Sequence, residues 1–203
     1  MKYLFNLACI LVCFSAIAQK PLAKAKYEGV YIEAGFVQPL GRLASRFEMS
    51  PSFGFWIRTT ESGKNFVDLG FTLFIPRNAS DINFRFKDST VSYKSQKFAI
   101  SVGGRYAKVF RLSSDPEGFS GEYNAGAGLA INMYLAPDEL EFEKGERSEE
   151  ILTTFYLSPG FKINYRNTGL QLHYQWAPYG VTSQKIRANY GSHLLMFGIV
   201  YRQ

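Results

Sequence analysis

From Gly121 to Leu135 the chain alternates without a break. Tyr123, Ala125, Ala127, Leu129, Ile131, Met133 and Leu135 are apolar, and Glu122, Asn124, Gly126, Gly128, Ala130, Asn132 and Tyr134 between them are small or polar. A period of two predicts a strand whose successive side chains point to opposite faces. The pattern recurs, so that eight strands are expected in all. The first runs from about Glu28 to Val37, with Val30, Ile32, Ala34 and Phe36 on its apolar face. The second runs from Phe47 to Arg58 (Phe47, Met49, Pro51, Phe53, Phe55, Ile57) and the third from Phe66 to Ile75 (Val67, Leu69, Phe71, Leu73, Ile75). The fourth covers Lys97 to Lys108, the opening stretch is the fifth, and the sixth covers Leu152 to Tyr165 with Phe155, Leu157, Phe161 and Ile163. The seventh carries Leu170, Leu172, Tyr174 and Trp176. The eighth, Ser192 to Tyr201, has the weakest pattern, because Leu194, Met196 and Val200 make both its faces apolar.

The two faces differ in kind. The apolar faces hold no charge, whereas the opposite faces hold Glu33, Glu48, Arg58, Asp68, Lys97, Arg105, Glu122 and Lys162 among glycine, serine and asparagine. A soluble exterior carries more charge and longer side chains than that. Small residues mixed with balanced charge suit the cramped interior of an eight-stranded barrel, which side chains fill without leaving a pore. Connections alternate between short turns, such as Thr60 to Lys64 and Arg166 to Gly169, and long loops, 76–95, 136–150 and 178–190. The expected fold is therefore all-β, an eight-stranded antiparallel up-and-down transmembrane β-barrel over residues 27–203, its apolar face toward lipid.

The N-terminus changes the setting. Lys2, an apolar run from Tyr3, and Ala16-Ile17-Ala18 before Gln19 read as a signal peptide over 1–18, too short for a spanning helix. Residues 19–26 are expected to be a short periplasmic leader. Both cysteines, Cys9 and Cys13, fall in the signal, so the exported chain has no disulfide, thiol nucleophile or cysteine metal site. The formal charge of +6 is modest, and an exported chain has little reason to meet nucleic acid.

Eight alternating strands, an exported start, and a last strand with Phe197, Ile199 and Tyr201 on one face resemble the small outer-membrane barrels of the outer-membrane protein A and X families, in their transmembrane-domain type. The likeness covers residues 27–203 and rests on architecture. It implies the outer membrane of a Gram-negative bacterium as location and outer-membrane lipid as surroundings, and it brings no active-site motif.

Among candidate site residues, hairpin geometry predicts two inward charge pairs, Arg105 with Glu122 and Arg58 with Asp68, that neutralise each other in a lumen with little water. Glu33, Lys162 and His173 are expected to be further polar residues of the lumen, His173 opposite Lys162 or nearby. Tyr106, Tyr123, Tyr165 and Tyr201 gather at the short-turn end, where an interfacial aromatic girdle belongs, the plainer reading being core tyrosines. His193 adjoins Ser192, but neighbours on a strand face opposite sides and cannot form a dyad. The loop 136–150 is acidic, with Asp138, Glu139, Glu141, Glu143, Glu146, Glu149 and Glu150 against Lys144 and Arg147. The other two long loops are basic, through Arg77, Arg85, Lys87, Lys94 and Lys97 against Asp81 and Asp88, and through Lys185 and Arg187. Such loops can fold over the mouth by mutual attraction or offer a surface for a protein partner, the plainer reading being merely solvated loops.

No catalytic, metal or cofactor site is expected. The leading expectation is a non-enzymatic scaffold, surface-contact protein or accessory subunit of a membrane complex. A membrane-embedded lipid or peptide hydrolase or transferase built around a histidine is one alternative, and a soluble periplasmic lipocalin-like barrel with its apolar face inward is another.

Overall fold

The computed structural model describes residues 29–62, 64–78, 82–86, 89–93, 98–113, 118–135, 149–182 and 191–203. The expected signal peptide, the leader and most of the charged loop residues lie outside them. Among the described residues twelve strands follow one another: β1 Gly29–Leu40, β2 Phe47–Glu48, β3 Ser50–Ser62, β4 Asn65–Phe74, β5 Arg77–Asn78, β6 Ile82–Phe86, β7 Ser89–Tyr93, β8 Phe98–Arg111, β9 Phe119–Leu135, β10 Glu149–Tyr165, β11 Thr168–Trp176 and β12 His193–Arg202. Eight of them close a barrel in the order β1-β12-β11-β10-β9-β8-β4-β3, every pair antiparallel. Pairing of Ile32 with Tyr201 and of Phe36 with Phe197 joins the first strand to the last and removes the open edges.

One end of the barrel, here called lower, has short connections: β3 to β4 across 63–64, β8 to β9 across 112–118, and β10 to β11 across 166–167. The upper end carries all the longer ones. The barrel strands run from 9 residues in β11 to 17 in β9 and β10.

Alternation decides the faces as expected. Leu69, Leu129, Leu170 and Ile199 are 53–65 % exposed on the outer wall. Their strand neighbours Asp68, Ala130 and Val200 are buried in the lumen. On β12 the ambiguity resolves with Leu194, Met196 and Val200 inward and Phe197, Ile199 and Tyr201 outward. The greasy side of the staves thus points away from the lumen, opposite to the lining of a lipocalin-like barrel. Inward glycines make room for bulky neighbours. A Cβ on Gly103 would stand 2.7 Å from the Tyr156 hydroxyl and one on Gly128 2.9 Å from its ring, so the Tyr156 ring lies over a glycine pair that the β8–β9 register sets side by side.

Two expectations need correction. The second strand does not begin at Phe47: the period slips at Met49, where Glu48 and Met49 are both exposed, and the barrel strand starts at Ser50. Phe47 therefore turns into the core instead of outward, and Glu48 leaves the lumen to pair through its backbone with Arg77 in the β2–β5 bridge. The segment after Pro76 is not a plain loop either, since β6 and β7 form a hairpin with Ile82 opposite Tyr93 and Phe86 opposite Ser89.

Candidate functional site

The lower lumen is a lattice of buried ions. Glu33, Asp68 and Glu122 supply three carboxylates, Arg58, Arg105 and Lys162 three cations, and none is more than 4 % exposed. Alternation on six strands sends all six side chains inward, and equal numbers of each sign let the set be neutral. Arg58 is its hub. Its Nε and Nη2 donate to Asp68 at 2.5 and 2.7 Å, its Nη1 and Nη2 to Glu122 at 2.7 and 2.8 Å, and Nη1 also donates to the Tyr31 hydroxyl at 3.0 Å. All five guanidinium N–H groups are thereby used, and two carboxylates are each held bidentately. The Tyr31 and Phe66 rings cover the guanidinium, with centroids 4.3 and 5.2 Å from Cζ.

From Glu122 the lattice continues through Lys162, 3.8 Å away, to Glu33, which accepts from Lys162 Nζ at 2.9 Å and from Arg105 Nη1 at 2.6 Å. Arg105 stands over Trp56, its Cζ 3.5 Å from the ring centroid. The chain Asp68, Arg58, Glu122, Lys162, Glu33, Arg105 alternates in sign at each step and links β4, β3, β9, β10, β1 and β8. Below it, Phe66, Ala107 and Val109 form a small apolar floor.

Of the two predicted pairs, Arg58 with Asp68 comes together, because the tight turn between β3 and β4 sets these residues opposite each other. Arg105 with Glu122 does not. The β8–β9 register pairs Arg105 with Gly126 and Glu122 with Val109, so each charge finds its partner across the lumen, Glu33 for Arg105 and Arg58 for Glu122. Glu33 and Lys162, read as separate lumen residues, are the middle links of the lattice.

Above the ions the lumen becomes neutral. His173 is buried and stands opposite Gly160, while Lys162 stands opposite Gln171. A Cβ on Gly160 would meet His173 Nδ1 at 2.4 Å and Asn124 Oδ1 at 2.6 Å, so the glycine is what admits both side chains. Ser101 and Gln175 bond to each other across the same layer at 3.2 Å. Higher still lies an apolar cluster that includes Val37, Leu43, Phe47, Phe74, Leu152, Tyr179 and Leu194. The turn of 3-10 helix Gly41–Ser45 and the helical turn Tyr179–Thr182 bring Leu43 and Tyr179 over the mouth. A cavity with about 20 Å³ open to the centre of a water molecule remains between them. Burial pushes the Tyr179 phenol up to about 12, against a smaller opposite pull from its hydrogen bond with Asn132.

On the outer wall, Tyr106, Tyr123, Tyr165 and Tyr201 are 39–61 % exposed toward the lower end and are not core residues. Three phenylalanines extend the group: Tyr123 stacks on Phe110 at 5.1 Å and packs against Phe161 at 5.2 Å, and Phe119 meets Tyr165 at 4.9 Å. At the upper rim His193 points outward, its Nδ1 hydrogen-bonded to the Tyr174 hydroxyl, while Ser192 offers its backbone carbonyl to Ala177 N–H. No group of three or more His, Cys, Asp or Glu side chains fit to hold a metal ion occurs among the described residues.

The chain matches no protein-family model and no curated protein.

Proposed function

We propose that this chain is an integral outer-membrane barrel of the outer-membrane protein A and X kind, a closed and plugged scaffold that presents its upper loops to a partner or to the cell surroundings. The observation that carries this reading is the outer wall. Twenty-three large apolar or aromatic side chains among the described residues are exposed, far beyond the few hundred Å² of apolar patch usual on a soluble monomer. Among the described residues the exposed charges keep to the rims, with Lys64, Lys108, Arg111 and Arg166 at the lower one and Arg42, Glu48 and Arg77 at the upper. Each Leu, Ile or Phe moved from water into hydrocarbon stabilises by about 1.5–3 kcal/mol, so such a wall favours lipid strongly.

Three further features support the same reading. The eight barrel strands pair in a closed ring with no open edge, the condition for strands in a bilayer. Strand lengths meet the ~9–11 residues needed to cross. Tyrosines and phenylalanines gather near the short turns, as an interfacial girdle does. The ion lattice and the mouth cluster fill the lumen, so conduction is not the role proposed. Partner recognition falls to the upper connections, whose charged residues lie mostly outside the described set.

Fractionation of the full chain expressed in a Gram-negative host tests this. The protein should stay with membranes through an alkaline carbonate wash, dissolve in detergent, and migrate faster on SDS gels unheated than boiled. Release by carbonate without detergent would overturn the proposal.

A further inference from the structure

Between the ion lattice and the mouth, a cavity with about 10 Å³ open to the centre of a water molecule is lined in part by Glu33, Gly54, Thr72, Arg105 and His173. Several polar atoms around it have no hydrogen-bond partner in the protein: Thr72 Oγ1, both ring nitrogens of His173, and the nearby indole Nε1 of Trp56. Leaving a buried polar atom unmade costs about 1–3 kcal/mol, so such groups in folded proteins ordinarily meet something. Gly54 marks the spot. A Cβ there would stand 3.0 Å from Trp56 Nε1 and 2.9 Å from Glu33 Oε2, so a donor and an acceptor converge on a notch that only glycine leaves open. The other oxygen of Glu33 already accepts from Arg105 and Lys162, and the Arg105 guanidinium stands over the Trp56 ring, its Cζ 3.5 Å from the centroid.

We propose that this notch is a binding site for one tightly held water molecule, which accepts from Trp56 Nε1–H, donates to Glu33 Oε2 and connects the ion lattice to the layer of Thr72 and His173. Size and charge settle the class of ligand. About 10–15 Å³ on this measure is the room one water needs, given two to four polar partners, and it is too little for an organic molecule. An ion is disfavoured because the lattice already balances three carboxylates with three cations. The water thus couples the fixed charges to an imidazole that the protein itself leaves without a partner.

Trp56 and Trp176 are the only tryptophans, so the indole N–H signals report the site directly. The barrel is labelled with 15N-tryptophan, refolded in detergent micelles, and its indoles assigned with Trp176→Phe. Water-selective NOE and ROE spectra should give a cross-peak at the Trp56 indole of the long-lived kind, persistent on the nanosecond scale or longer. Gly54→Ala should abolish it and leave the Trp176 signal in place. Thr72→Val, which removes one wall hydroxyl and keeps the shape, should shorten the water's residence at least severalfold. Absence of the cross-peak in the folded wild type, or its persistence unchanged in a folded Gly54→Ala barrel, overturns the proposal. The readout needs only a folded barrel and is independent of where the protein resides.

Discussion

The lower and upper halves of the lumen plug the same barrel by opposite means. Below, Arg58 spends every donor on two carboxylates and a phenol, and the lattice holds only if each partner is present. Above, Leu152, Phe74, Leu194 and Val37 fill space by shape, and one apolar side chain does much the same as another of its size. The difference teaches where the barrel is brittle. Buried ions are stable in company and costly alone, whereas apolar packing degrades gradually.

A methionine placed once in each half sharpens the contrast. Arg58→Met keeps comparable length yet leaves Asp68 without its partner and Glu122 with only a distant Lys162, and it should cost about 3–5 kcal/mol. Urea unfolding of the barrel in detergent or lipid vesicles measures that. A loss under about 1 kcal/mol would mean that the lattice is not the rigid element described here.

Raised pH should loosen the upper half. The Tyr179 phenol is held up to about 12 in the fold, against about 10 when the chain is unfolded. Its folded value is the higher one, so the neutral form is favoured by folding: the contribution is present in full below pH 10 and is lost as pH rises through 12. The difference between wild type and Tyr179→Phe should therefore shrink or reverse across that window by about 2–3 kcal/mol, read from unfolding curves at each pH. A difference independent of pH would place the hydroxyl in water.

Leu152→Met, the second methionine, should cost less than about 1.5 kcal/mol by the same unfolding measurement, because it conserves volume inside an apolar cluster. If it cost as much as Arg58→Met, the two halves would not differ in the way claimed.

Much of this was legible in the chain because the side-chain period of a strand is fixed by backbone geometry. Leu69 and Leu129 stand outward and Asp68 and Glu122 inward as the alternation alone requires. Arg58 and Asp68 could be paired because a tight turn fixes their register. Glu33 with Arg105 could not, nor Arg58 with Glu122, because those partners meet across the lumen and their heights depend on the stagger of strands that are not neighbours. Phe47 departs from the simple alternation for a local reason, one slipped residue at Met49 that reverses the face of everything before it. The β6–β7 hairpin had its signal in the alternation of Ile82-Asn83-Phe84-Arg85-Phe86, hidden by the loop-like residues around it. The water site left only half a mark: alternation sets Gly54 and Trp56 on one face, but nothing in the order of residues shows that the β1–β3 register brings Glu33 opposite Gly54.

The most direct measurement concerns the outer wall. Single tryptophans replacing Leu69, Leu129, Leu172 and Ile199 in a background without Trp56 and Trp176 are reconstituted into vesicles of lipids brominated at graded depths. Outward staves in hydrocarbon predict blue-shifted emission at all four positions and strong bromine quenching that peaks at a depth set by each position along its strand. Red-shifted emission with no bromine quenching at Leu129 and Leu172, in a barrel whose fold is intact, would contradict the account.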